Sequence, residues 1–212
     1  MKKILICDDH SIIRRGLKFL LSNHFSEYEI VEMHSIKETR TYLKTHKPHF
    51  AIFDLQLSDG NMIENLPSII ALYPKLDILI FSMSSEEIYA KRVLQMGASG
   101  FLNKNADEEE VVRALQIFLS GQNYISQTLN DLMVNDLRGS GGKINENPFA
   151  ALSNREIEVT RNLLAGMDLK KICESMDLHS NTIVTYKHRV FDKLAVRNVI
   201  DLTNLARVYD FK

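Results

Sequence analysis

Asp8 and Asp9 close the apolar run Ile4-Leu5-Ile6-Cys7, and Asp54 closes a second, Phe50-Ala51-Ile52-Phe53. If the two runs are neighbouring parallel strands, their carboxylates meet at the carboxyl ends, where open α/β sheets bind ligands. Carboxylates crowded there repel one another unless a cation sits between them. Two further apolar runs end in groups suited to the same rim: Phe81-Ser82 brings a hydroxyl, and Phe101-Leu102-Asn103-Lys104 brings an ammonium. The chemistry expected is that of an acidic, cation-holding pocket.

The elements that must position these groups are legible in the patterning. Short apolar runs near 3–7, 29–33, 50–53, 78–82 and 100–102 alternate with helical patterns near 12–24, 36–46, 62–73, 85–96 and 107–120. Such alternation predicts an α/β fold, a five-stranded parallel doubly wound (flavodoxin-like) sheet with helices on both faces. Asp107 is placed to cap Glu108-Glu109-Glu110, and Gly97 follows the helix ending near Met96. Between Gly121 and Pro148 the pattern loosens into one short helix over 126–137 and the run Arg138-Gly139-Ser140-Gly141-Gly142-Lys143, which reads as a linker. That run lacks the spacing G-x-x-x-x-G-K-[ST] and no strand leads into it, which argues against a phosphate loop. From Ala151 onward strands vanish, and four helices are expected near 153–165, 169–175, 180–194 and 198–209. Ser153 and Glu156 make a capping box. The turn Met176-Asp177-Leu178-His179 has the length a helix-turn-helix requires. The expected organisation is a first domain over 1–121, a linker over 122–148 and a smaller all-α domain over 149–212.

In a chain of 212 residues, 26 basic and 27 acidic side chains nearly balance, but the halves differ. Residues 1–120 hold 14 basic and 16 acidic, whereas 151–212 hold 10 and 8. The stretch 179–197 sets Lys187, Arg189, Lys193 and Arg197 against Asp192 alone, a local basic patch. Cys7 and Cys173 fall in different halves and read as small buried residues rather than a disulfide or metal pair. No apolar stretch approaches the ~20 residues of a membrane span. Met1-Lys2-Lys3 runs directly into a strand, so a cytoplasmic protein is expected. Each residue also has a plainer reading: an aspartate at a strand end caps a helix, His10 and His188 pack at the surface without a second histidine at ligand spacing, and a basic helix face is merely solvated.

The order and spacing of several motifs together resemble those of the two-component response regulators with an N-terminal receiver and a C-terminal LuxR-type helix-turn-helix, the NarL/FixJ group. In the first domain these are Asp8-Asp9-His10, Ile13-Arg14-Arg15-Gly16-Leu17, Asp54-Leu55, Asp59-Gly60, Ser82-Met83, Gly97-Ala98-Ser99-Gly100-Phe101-Leu102 and Lys104. In the second they are Leu152-Ser153-Asn154-Arg155-Glu156-Ile157-Glu158-Val159, Gly166, Ile172, Thr182-Ile183, Tyr186-Lys187 and Lys193-Leu194.

The resemblance implies phosphorylation of Asp54 by a sensor histidine kinase. It implies Mg²⁺ held by Asp9, Asp54 and the backbone carbonyl of Gln56, with Asp8 acting through water. Lys104 and Ser82 are expected on the phosphoryl group, and Phe101 is expected to turn inward as Ser82 moves. In the second domain it implies binding of double-stranded DNA, with Val184, Thr185 and His188 facing base edges and Ser180, Thr182, Lys187, Arg189 and Lys193 on phosphates. The last helix, through Val199, Leu202 and Ala206, with Tyr209 at the same spacing, would pair two copies into a homodimer when active. Val199, Leu202 and Ala206 equally suit packing within the domain.

Some positions depart from the family pattern. Ser58 stands where proline is common, Phe101 where tyrosine is more frequent, His179 where a small helix cap is usual, with Ser180 as a substitute cap, and Tyr186 where histidine is common. Two other functions compete. An aspartate-nucleophile phosphatase or phosphotransferase usually carries a second carboxylate two residues after the nucleophile; here that residue is Gln56, which argues against an enzyme. A phosphorylation-independent scaffold is disfavoured by the full set Asp8, Asp9, Asp54, Ser82 and Lys104.

Overall fold

The computed structural model describes residues 2–137, 147–209 and 211, and the chain divides into two compact units, Met1–Val134 and Asn135–Lys212. The Gly-rich run over 139–143 lies outside the described residues.

The first unit is built on strands β1 (Lys2–Cys7), β2 (Tyr28–Met33), β3 (Phe50–Phe53), β6 (Asp77–Ser82) and β7 (Gly100–Asn103) in one parallel sheet of order β2-β1-β3-β6-β7. Parallel strands covered on both faces are apolar throughout rather than alternating, and β3 is buried at all four positions. Helices α1 (Ser11–His24) and α5 (Glu108–Leu119) cover one face, where Ile4, Ile6, Phe50, Ile52, Leu79, Phe81 and Leu102 meet Leu17, Leu21, Leu115 and Phe118. The other helices are α2 (Ile36–Thr45), α3 (Met62–Leu72), α4 (Glu86–Gln95) and α6 (Gln127–Leu137). Side-chain caps set their starts: Ser35 accepts from the Glu38 amide for α2, Asn61 from Ile63 for α3 and Asp107 from Glu110 for α5.

Strand order reverses between β1 and β3, so the turns after these strands diverge and leave a crevice at their carboxyl ends. Register brings Cys7 opposite Phe53, and the Asp54 amide continues the ladder by donating to the Cys7 carbonyl at 2.9 Å. Asp8 and Asp54 therefore emerge side by side. A short antiparallel hairpin, β4 (Gln56–Leu57) with β5 (Gly60–Asn61), follows Asp54 at once. Nothing in the periodicity announced it, because two-residue strands carry no period.

Residues 122–129, expected within the linker, instead pack on the sheet edge. Tyr124 bridges Gly100 in parallel, its amide donates to the Ser99 carbonyl at 2.9 Å, and Tyr124, Ser126 and Leu129 are buried. The Tyr124 hydroxyl donates to Glu110 Oε1 at 2.8 Å, and the Ser126 hydroxyl donates to Glu86 Oε1. Apolar burial of the tyrosine and leucine outweighs the polar character that made the stretch read as a connector.

The second unit holds a 3₁₀ turn (Pro148–Ala151) and helices α7 (Asn154–Leu164), α8 (Leu169–Met176), α9 (Ser180–Lys193) and α10 (Val199–Val208). Val159, Ile172, Ile183, Val190, Leu194, Leu202 and Leu205 form its interior. The Ser153–Glu156 capping box is complete. Asp177, at φ 51°, turns the chain between α8 and α9.

Gly100 provides a test of the packed edge. A Cβ there would lie 2.9 Å from both Leu79 Cδ1 and the Tyr124 carbonyl oxygen. We expect Gly100→Ala to destabilise the first unit by about 1–3 kcal/mol in urea unfolding; a loss below about 0.5 kcal/mol would show that the 122–129 segment leaves this edge freely.

Candidate functional site

At the crevice, Lys104 Nζ lies 2.6 Å from Asp54 Oδ2 and 2.6 Å from Asp8 Oδ2, and all three side chains are at most 4% exposed. Lys104 is aimed by its backbone: β7 pairs with β6, and the Lys104 amide donates to the Ser82 carbonyl at 2.9 Å. Burial raises the Asp54 pKa above the ordinary carboxylate range, against the opposing pull of Lys104 and of the Ser82 hydroxyl. Ser82, buried beside it, also shares its hydroxyl with Ser84 Oγ at 3.3 Å. The Gln56 amide points to Asp54 Oδ1 at 3.4 Å.

Asp9 completes the cluster. Ligand atoms of Asp8, Asp9, His10 and Asp54 all lie within 4.8 Å of one another. Asp9 Oδ2 accepts from the Ser58 amide at 2.9 Å, whereas Oδ1 is buried without a hydrogen bond. The His10 Nδ1 is 2.9 Å from that Oδ1, outside hydrogen-bond geometry, and 3.2 Å from Asp8 Oδ1, with which it is hydrogen-bonded. Three carboxylates against one ammonium leave two formal negative charges in a largely buried cluster. Within the cluster the three carboxylates supply oxygen donors, and their chemistry fits a hard divalent cation such as Mg²⁺.

Two residues that stand in the family motifs, but that were given no role there, frame the pocket. Arg14 donates to the Asp8 carbonyl at 2.5 Å and faces Glu32. Asp59 accepts from the Ile36 and Lys37 amides at 3.0 Å each, and although burial opposes it, these bonds hold its carboxyl below the ordinary value. The Asp59-Gly60 pair stood among the family motifs, but the partners of Asp59 at α2 are distant in sequence.

Phe101 differs from expectation. Its ring has no exposed surface, so the inward position it was expected to reach on phosphorylation is already occupied.

In the second unit α9 divides cleanly. Ile183 and Val190 face the core, while Ser180, Val184, Thr185, His188 and Arg189 are exposed and Thr182 and Lys187 are half-buried. Lys187 Nζ lies over the Phe191 ring at 5.3 Å. The Thr185 hydroxyl is spent on the Asn181 carbonyl at 2.8 Å. His179 occupies the cap position without a side-chain bond, and Ser180 lies inside the helix, so the substitute cap expected of Ser180 is not formed.

Lys193 also departs from expectation: it reaches back to Glu156 Oε2 at 2.7 Å and the Ala151 carbonyl at 3.3 Å, tying α9 to the capping box of α7. Glu156 is almost fully buried, which would push its pKa up, but Lys193 and the Ser153 amide and hydroxyl hold it down at about 2. Leu202 and Ala206, expected at a dimer surface, are 0% and 4% exposed within the domain because that face of α10 packs on α7. Val199 and Tyr209 are half-buried, and Ile200, which the spacing passed over, is 71% exposed.

Residues 4–116 match the response regulator receiver domain family, and residues 150–206 match the bacterial regulatory proteins of the luxR family. The chain belongs to the response regulators: it is a receiver joined to a LuxR-type helix-turn-helix. It is 30% identical to the Fimbriae Z protein of Salmonella typhimurium over 98% of this chain and 97% of that protein. It is 28% identical to the response regulator GacA of Pseudomonas protegens over 97% and 95%. In fold it is similar to RcsB from Salmonella enterica serovar Typhimurium, solved bound to promoter P1flhDC with the phosphomimetic BeF₃⁻, with a TM-score of 0.65, 22% identity and coverage of 100% and 99%. Among the described residues no helix is long and apolar enough to cross a membrane.

The Glu156–Lys193 pair makes stability depend on acid. A carboxyl held at about 2 contributes stability that is complete above its unfolded value near 4.3 and is lost as pH falls through that range toward 2. We expect Glu156→Gln to cost the second unit about 2 kcal/mol at pH 7, with the gap to wild type narrowing below pH 4 in thermal unfolding. A pH-independent gap would assign the loss to packing alone.

Proposed function

We propose that Asp54 is the phosphoacceptor of a two-component transcription regulator, receiving its phosphoryl group from a phosphohistidine of a sensor kinase and gating dimerisation and DNA binding. The observation that carries this reading is the buried Asp8–Lys104–Asp54 arrangement at the sheet's switch point, with Asp9 Oδ1 buried beside it and without a hydrogen bond. Asp54 attacks phosphorus as the bond to the donor imidazole breaks, giving an aspartyl phosphate. Asp9, Asp54 and the Gln56 carbonyl would hold Mg²⁺, with Asp8 behind a water. The bound ion would neutralise charge on the phosphoryl oxygens. Lys104, now shared between two carboxylates, turns to a phosphoryl oxygen once Asp54 is esterified, and Ser82 hydrogen-bonds another. With Phe101 already inward, the signal runs through Ser82 and the start of α4 rather than through that ring.

In the second domain, Val184, Thr185 and His188 face base edges, and Ser180, Thr182, Lys187 and Arg189 lie on phosphates. Lys193 acts chiefly on Glu156, so its phosphate contact is secondary. Pairing of two domains uses the part of α10 that stays exposed, beside Val199, while Leu202 and Ala206 support it from inside. The same reading places the chain in the cytoplasm with its DNA, and its output is transcription control rather than turnover of an external substrate. A TM-score of 0.65 to a promoter-bound relative supports the architecture.

The decisive experiment measures gel-filtration mass and binding to a randomised operator pool, with and without beryllofluoride and Mg²⁺, on wild type and Asp54→Ala. The expected outcome is a mimic-induced dimer with tighter DNA binding, absent in the variant; equal binding in every condition would move the receiver to a scaffold role. Lys187→Ala or Arg189→Ala should weaken binding to all sequences alike and lower the salt slope by about 1 each. A loss confined to particular sequences would place that residue on bases instead.

A further inference from the structure

The tip of the β4–β5 hairpin is pinned at two points. On one side Asp59 accepts the first amides of α2 at 3.0 Å each. On the other the Ser58 amide donates to Asp9 Oδ2 at 2.9 Å. Residues 58 and 59 form the turn itself, between Leu57 and Gly60, and Gly60 at φ +146° takes a backbone angle that side chains rarely adopt. The Asp9 carboxylate is thus held by one oxygen to the loop that follows Asp54, and its other oxygen, Oδ1, is buried without a hydrogen bond beside the ligand atoms of Asp8, Asp54 and His10, the last 2.9 Å away.

A carboxylate free to rotate would present either oxygen and would pay rotamer entropy to fix one. Here the amide has already chosen. It fixes Oδ2 outward on the hairpin and leaves Oδ1 as the oxygen that meets a cation. We propose that Ser58, through its backbone N–H rather than its hydroxyl, is a positioning residue for the cation ligand Asp9, and that Asp59 holds the hairpin where that N–H can reach. This rests on the reading of the pocket as a Mg²⁺ site.

The position is one at which residue type decides the outcome, because proline has no N–H to donate. Partners that orient a metal ligand typically change affinity by 10–100-fold when lost. A single neutral backbone amide belongs at the low end of that range.

The test uses the full chain and MgCl₂, following pocket amides by ¹⁵N NMR. Ser58→Pro should raise the Mg²⁺ Kd about tenfold, and Ser58→Ala, which keeps the amide and removes the hydroxyl, should stay within twofold of wild type. A Ser58→Pro Kd equal to wild type, or equal losses in both variants, would overturn the proposal. Absence of any Mg²⁺ response in wild type would overturn the metal reading itself, and this role with it. Hydrogen exchange on wild type decides the matter should the proline variant not fold. The Ser58 amide is expected to be protected both without Mg²⁺ and at saturation, and exchange at the rate of an open turn in the Mg²⁺ form would overturn the proposal.

Discussion

The rest of the receiver depends on keeping like charges together out of water. Asp8 and Asp54 are nearly inaccessible, and one ammonium, Lys104, is shared between them at 2.6 Å each. Removing a partner from such a set leaves an uncompensated buried charge, at a cost of about 3–5 kcal/mol. The arrangement survives because each group hangs from a strand end whose register the core fixes. Asp54 follows the β1–β3 ladder, Lys104 follows the β6–β7 ladder, and these strands are buried on both faces. The pocket is thereby rigid in position and unbalanced in charge. An unbalanced rigid pocket has the charge that suits a cation.

The loops around this pocket are stapled to one another rather than left open. Arg14 holds the Asp8 carbonyl, Ser58 holds Asp9, and Asp59 holds the start of α2. Farther along the sheet edge, the segment after α5 is fastened through Tyr124 to Glu110 and through Ser126 to Glu86. Glu86 opens α4, four residues after Ser82, so the strap meets the receiver close to where the Asp54 chemistry is felt. Burial raises the Glu86 pKa, partly offset by the Ser126 bond.

The second unit solves a different problem, since about sixty residues bury only a small core. It relies on polar closures. The capping box at Ser153 and Glu156 is extended by Lys193 from α9, and Phe211 stacks on Phe149 at 4.0 Å with the Arg161 guanidinium over the Phe211 ring at 5.9 Å. These closures fix the orientation of α9 while leaving its Val184, Thr185, His188 and Arg189 face in solvent. The lysine spent on Glu156 is the cost of that orientation.

Much of this was determined by sequence alone. Among the described residues, apolar runs and caps located every strand of the main sheet and every α-helix, the run Phe50–Phe53 being the third strand from end to end. Strand-terminal aspartates and Lys104 announced one pocket, because a parallel α/β pattern obliges strand ends to converge. Tertiary structure alone decided what the patterns left degenerate. Period identifies the apolar face of α10 but not whether that face meets its own domain or another, and packing on α7 took Leu202 and Ala206 inside. Charge identifies Lys193 as a cation but not which anion it serves, and a buried glutamate 37 residues away claimed it. An amide is the same at every residue, so the bond from Ser58 to Asp9 left no mark in side-chain patterning. It exists only because the folded chain brings residues 49 positions apart into contact.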